Sequence, residues 1–195
     1  YVRQDFFRGE GFLDLADIRQ QNGYKCGVMA TAAVLDHFGL PADDDELTKA
    51  LGCTEADGTE PGPIVAYLKS QGLAVAAGPM QLDDLRAHLD AGHPVICAVQ
   101  YDAPDGWASG HYVVVAGYAG EVLTLQDPAR GRVRELAEEF VRRWHDLAAD
   151  GTRLEQFGIA VGNGVQAGDG GKCGGEGGEP GPCPSGKADQ KSDNS

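Results

Sequence analysis

The chain has 195 residues, with 30 acidic against 16 basic side chains and a formal charge of −14. That acidity withholds the cationic surface with which proteins hold phosphate backbones, and it argues against nucleic acid as a partner. Hydrophobic residues make up 42% of the chain, enough for one packed domain, while no apolar run approaches the roughly 20 residues of a membrane span.

Residues 1–17 read as an N-terminal extension. The start at Tyr1 rather than Met reads as a processed or excerpted product, with no targeting segment in view. Cys26 to Phe38, rich in Ala, Val and Leu, predicts a largely buried helix stopped at Gly39. A short acidic-started helix follows from Asp43 to Leu51. Thr59 is placed to cap a third, with Pro61 in its first turn and Gly72 as its stop. Leu82, Leu85 and Leu89 define a fourth helix, ended by Gly92.

Beyond this point the period changes to that of strands. Pro94 to Gln100, His111 to Tyr118 and Glu121 to Gln126 read as strands, with Ala119-Gly120 as a tight turn. Leu136 to Leu147 has the spacing of an amphipathic helix, and Phe157 to Val161 that of a closing strand. Helices followed by an antiparallel sheet predict an α+β domain of two lobes over residues 18–163, with a cleft between the lobes as the natural place for a site. The last 32 residues hold ten of the 29 glycines and no large apolar side chain after Val165. Residues 164–195 therefore read as a disordered Gly/Pro-rich tail. Three Lys against five Asp/Glu make that tail near neutral, which leaves −12 on residues 1–163.

The five cysteines, at 26, 53, 97, 173 and 183, form no CxxC, and their odd number argues against a closed disulfide framework or a zinc site. Cys97, inside Val95-Ile96-Cys97-Ala98-Val99, reads as a small buried hydrophobe. Cys173 and Cys183 are either free tail thiols or a pair. A pair would favour a secreted or cell-envelope compartment over the cytoplasm.

Cys26 has chemical potential of another kind. A thiol at a helix N-terminus meets the positive end of the macrodipole, and Lys25 adds a positive charge nearby; both favour the nucleophilic thiolate. A plain core cysteine is the alternative. Gly27 allows another chain to approach the backbone closely. His111 opens a strand just after Ser109-Gly110, and Asp127 ends the next one. Adjacent antiparallel strands can bring these two together, so that the carboxylate fixes the imidazole tautomer and stabilises its cationic form. Gln20, six residues before Cys26, is a candidate amide donor to an oxyanion hole together with the Cys26 backbone N–H, and Gln21 is its rival one residue away. His37, His88, His93 and His145 have weaker claims: a helix end, a solvated helix face, a turn, and packing against Trp144.

Gln20, Cys26-Gly27, His111-Tyr112-Val113-Val114-Val115 and Asp127-Pro128 resemble the papain-like bacteriocin-processing peptidases, family thirty-nine of the cysteine peptidases. The resemblance covers roughly Ile18 to Val161. It is closest to stand-alone members, through Gly58-Thr59-Glu60-Pro61, the stretch Leu89 to Ile96, and Trp144-His145-Asp146. It implies a papain-like fold with a helical N-terminal lobe and an antiparallel-sheet C-terminal lobe. Cys26 would be the nucleophile, His111 the general base and acid, Asp127 its orienter and Gln20 the oxyanion donor. The implied partner is a peptide or protein substrate, with no cofactor or metal. The best-known members precede an export transporter and cut after a double glycine, and many carry an acidic residue where this chain has Lys25. The same triad also serves acyl transfer to an amine, and a vestigial triad would leave a peptide-binding module. The tail pairs Gly170-Gly171, Gly174-Gly175 and Gly177-Gly178 raise self-trimming as a smaller expectation.

Overall fold

The computed structural model describes residues 12–164. Helix α1, Cys26–His37, is buried at ten of its twelve positions, as an Ala-rich helix apolar all round must be. It stops where Gly39 takes φ +69°. Helix α2, Asp44–Ala50, is capped by Asp43, whose carboxylate accepts the Glu46 N–H at 3.0 Å. Helix α3 spans Pro61–Ser70 and α4 Leu82–Asp90, and both turn leucines or isoleucine inward. Thr59 does not cap α3. Glu60 is the capping position without a side-chain bond, and the Thr59 hydroxyl is buried with no hydrogen-bond partner.

The strands are β1 Ala74–Pro79, β2 Val95–Gln100, β3 Gly110–Ala119, β4 Val122–Asp127, β5 Gly131–Leu136, β6 His145–Leu147, β7 Arg153–Glu155 and β8 Phe157–Gly162, with a fifth helix, α5, at Ala137–Arg143. Six of them form one antiparallel sheet in the order β1-β8-β2-β3-β4-β5, and β6 pairs with β7. The mixed helical and antiparallel α+β architecture is the expected one, and strands β2, β3, β4 and β8 fall where the sequence puts them. The outer strands β1 and β5 were not expected, nor was the β6–β7 pair.

The helix expected over 136–147 ends at Arg143. There the Trp144 indole donates to the Phe157 carbonyl at 2.9 Å and the Trp144 carbonyl accepts the Gln156 N–H at 2.8 Å. These bonds turn the chain out of helix and into β6.

Alternation along the central strands divides the apolar residues between two cores. Ile96, Ala98, Tyr112 and Val114 pack with α1, α2 and α3 on one face. Val95, Cys97, Val99, Val113 and Val115 pack with Leu85, Leu89, Phe140 and Trp144 of the α4 and α5 region on the other. Cys97 is fully buried, as expected of a hydrophobe, and burial pushes its thiol up. Residues 12–17 run against this body: the Leu13 N–H donates to the Ala116 carbonyl, and Leu15 is buried in the first core. Residues 1–11 and the tail, with its cysteine pair and its double glycines, lie outside the described residues.

Candidate active site

Cys26 is the first residue of α1 and is buried and unbridged. No side chain caps this helix, so the amides of its first turn lack a built-in acceptor. The helix can lie this close to the sheet only because residue 27 is glycine: a Cβ there would come within 2.7 Å of Thr59 Cβ and 3.1 Å of the Tyr112 ring. Lys25 plays a different part from the one its sequence position suggests. Its ammonium pairs with Asp44 at 2.9 Å and so ties α1 to α2.

His111 and Asp127 come together through strand register. Val114 faces Gln126 across β3 and β4. One residue further, Asp127 stands across from Val113, on the face that His111 shares because residues two apart in a strand point the same way. His111 Nε2 lies 2.9 Å from Asp127 Oδ1, with the two side chains 5% and 0% exposed. The other ring nitrogen, Nδ1, is not engaged by Asp127, and Cys26 lies close enough to act on the charge of the ring.

Burial is the largest influence on His111 and favours the neutral ring. The hydrogen bonds and charges of Asp127 and Cys26 outweigh it and raise the imidazole to about 9. Burial likewise opposes the Asp127 carboxylate, but His111, Arg130 and the Ala129 N–H hold it well below the usual carboxylate range.

Asp127 also makes the turn that follows it. Its Oδ1 accepts the N–H groups of Ala129 at 2.8 Å and Arg130 at 3.2 Å, and its Oδ2 accepts Arg130 Nε at 2.7 Å. The Arg130 guanidinium lies 5.4 Å from the centre of the Tyr101 ring, which meets His111 edge-on at 4.9 Å. The Asp127 carboxylate and the Tyr101 ring that touch the imidazole are thus both braced by Arg130, and sequence reading missed Tyr101 and Arg130. The only local signal was the position of Arg130, three residues after Asp127.

Gln20 is carried beside this turn: its N–H donates to the Pro128 carbonyl at 2.9 Å, and Arg19 Nη1 donates to the Ala129 carbonyl at 3.2 Å. Gln20 lines a cavity of about 300 Å³ together with His111, Gly23 and Tyr101. Its rival Gln21 is exposed and lines neither cavity at the site. A second cavity, of about 330 Å³, opens beside Cys26 and His111 and is also walled by Thr59, Glu60, Trp107 and Asp146.

The other histidines lie elsewhere. His145 stacks on Trp107 at 4.4 Å, not on Trp144, and bonds the Pro104 carbonyl. His88 is half-buried against His93, and burial first and His93 second lower its affinity for a proton. Among the described residues, no three His, Cys, Asp or Glu side chains gather as a metal-holding group.

A profile of the Peptidase C39 family matches residues 15–150. Over 131 residues the chain is 34% identical to an uncharacterized protein of Methanothermobacter marburgensis, a match that spans 67% of this chain and 84% of that one. Among solved structures, a double glycine motif protease from an AMS/PCAT transporter, in complex with the leader peptide, superposes with a TM-score of 0.61 at 20% identity, covering 80% of this chain and 95% of that one. The peptidase domain of Streptococcus ComA, a bi-functional ABC transporter involved in a quorum sensing pathway, superposes with the same TM-score at 23% identity over 77% and 98% of the two chains. At these identities the structural likeness is one of fold.

Proposed function

The chain belongs to the Peptidase C39 family, and from that premise we propose that it is a cysteine peptidase in which Cys26, His111 and Asp127 form the catalytic triad and Gln20 the side-chain half of the oxyanion hole. The observation that carries this reading is the buried His111, bonded through Nε2 to Asp127 and lining one cavity with Cys26. With the imidazole raised to about 9, the proton rests on His111 at neutral pH, and the nucleophile of the proposed reaction is the Cys26 sulfur in its thiolate form.

Attack of that sulfur on a peptide carbonyl forms the C–S bond and puts negative charge on the carbonyl oxygen. The Gln20 amide and the Cys26 N–H receive this charge. Collapse breaks the C–N bond as His111 passes its proton to the leaving amine. His111, now neutral, takes a proton from water, which attacks the thioester and releases the acid and the Cys26 sulfur. Asp127 keeps the ring in the tautomer that presents Nδ1 to the sulfur. The unit that does this is residues 18–163, with a peptide or protein as its substrate.

Cys26→Ala is expected to abolish cleavage of a peptide pool and labelling by thiol-reactive peptide inhibitors while leaving the circular dichroism unchanged. Undiminished cleavage by that variant would overturn the assignment. Acyl transfer by the same triad would show as product masses increased by an added amine.

A further inference from the structure

The cavity beside Cys26 contains a carboxylate that the reaction above does not use. Asp146, on β6, is half-buried. Its Oδ1 accepts Gln100 Nε2 at 3.0 Å and the Leu147 N–H at 2.8 Å, whereas no described group donates to its Oδ2. It lies over Gly110, the residue before His111, so closely that a Cβ at position 110 would come within 2.6 Å of it.

Glu60 lines the same cavity and accepts the Ala149 N–H at 3.0 Å. Neither carboxylate forms an ion pair with a described residue, and no Lys or Arg lines the cavity. Arg153 stacks on Trp107 at 4.8 Å and pairs with neither. Burial first, and the Glu60 charge after it, outweigh its hydrogen bonds and the neighbouring His145 ring and push Asp146 up to about 6, the behaviour of a partly desolvated carboxylate with no Lys or Arg paired to it. A further polar group waits there: Thr59 is 7% exposed, lines the cavity, and has a buried hydroxyl with no partner. Buried polar groups are nearly always satisfied, so an orphan on a cavity wall marks a place for a ligand's donor.

We propose that this cavity is the subsite for a cationic side chain, Lys or Arg, of the peptide substrate, received by the Asp146 and Glu60 carboxylates with the Thr59 hydroxyl as a further acceptor. The proposal rests on the peptidase reading and adds to it a substrate class: peptides with a basic residue within reach of the scissile bond. Three acceptors around one pocket suit an ammonium with its three N–H donors or a guanidinium fork, and they leave an aliphatic side chain of the same length facing unpaired charge.

The test is a binding measurement on the full chain carrying Cys26→Ala, which separates recognition from turnover. Fluorescent Gly/Ala peptides carry a single Lys, or norleucine in its place, stepped through every position. At one position the Lys peptide is expected to bind about tenfold more tightly or better, and Asp146→Asn or Glu60→Gln, each added to Cys26→Ala, is expected to erase the difference while norleucine affinity stays put. Equal affinity at every position, no binding by either series, or a preference that survives both substitutions overturns the subsite. Cleavage by the unsubstituted protein is read separately. Lys-selective binding without cleavage refutes only the peptidase reading, and cleavage without selectivity refutes only the subsite.

Discussion

Burial alone would keep His111 neutral, and what reverses this is the influence of Asp127 first and Cys26 second. In the proposed reaction the imidazolium is therefore the acid, and the sign of its pH dependence follows. The folded value, about 9, lies above the ordinary 6.5. Stability from the ion pair is thus fully present below 6.5 and is lost as pH rises through about 9. Activity that needs the protonated ring is lost over the same upper range, so kcat/KM is expected to fall on an alkaline limb near 9. Asp127→Asn removes the strongest partner favouring the cation. It is expected to move that limb to lower pH and to reduce kcat/KM by about a hundredfold or more; an unmoved limb would assign the titration to another group. Arg130 acts one step further out, through Asp127 and the Tyr101 ring. As a positioning residue its change to Ala is expected to lower kcat by about tenfold, the order of one charge-assisted hydrogen bond, with KM unchanged. Because it removes a cation from beside the His111–Asp127 pair, its pH limb should shift upward, opposite to that of Asp127→Asn, a readout that mere destabilisation would not move.

Element by element, legibility followed burial. Strands β2, β3, β4 and β8 are covered on both faces, so they appear in the sequence as near-continuous apolar runs. The outer strands are covered less. β1 is Ala-Val-Ala-Ala-Gly-Pro with no buried position, and β5 alternates Arg132, Val133, Arg134 and Glu135 with one buried position; neither has the β-branched density that marks a strand. Phe140, Trp144 and Leu147 hold helical spacing, so the sequence prolongs α5 through β6 and hides Asp146 on an imagined helix face. Cys26, His111 and Asp127 were legible because a helix start and one hairpin are local features. Asp146 was not, because only the pairing of β6 with β7 and the bare backbone of Gly110 bring it to the cleft. The approach of α1 depends on a residue of the same kind. Gly27→Ala would force a methyl to 2.7 Å from Thr59 Cβ. It is expected to cost about 1–3 kcal/mol in urea unfolding and to depress turnover further by moving Cys26 from His111. Full stability in that variant would mean that the helix and the Thr59 loop are not in rigid contact.

For the molecule as a whole, one sheet serves two cores. Val113 and Val114 are chain neighbours, both fully buried, yet they point into opposite layers. The layers therefore share every central backbone hydrogen bond, and a strand cannot leave one core without leaving the other. This bears on the proposed function, because Cys26 belongs to the α1 layer whereas the His111–Asp127 pair hangs from one end of the inner strands β3 and β4. The proposed nucleophile and acid stay in register only while both layers hold the same strands. The consequence is a single cooperative transition. Leu35, fully buried in the first core, and Phe140, fully buried in the second, are about equally deep but touch different layers. Leu35→Ala is expected to cost about 2–5 kcal/mol and Phe140→Ala about 3–5 kcal/mol. Each should lower one common midpoint followed by far-ultraviolet circular dichroism, tryptophan fluorescence and loss of Cys26 labelling alike. Because the two sites share no contact surface, the costs should add to within a few tenths of a kcal/mol. Should Phe140→Ala release the Trp144 fluorescence change at lower denaturant than the Cys26 signal, the layers would be separate folding units, and the sheet would not be what couples nucleophile to acid.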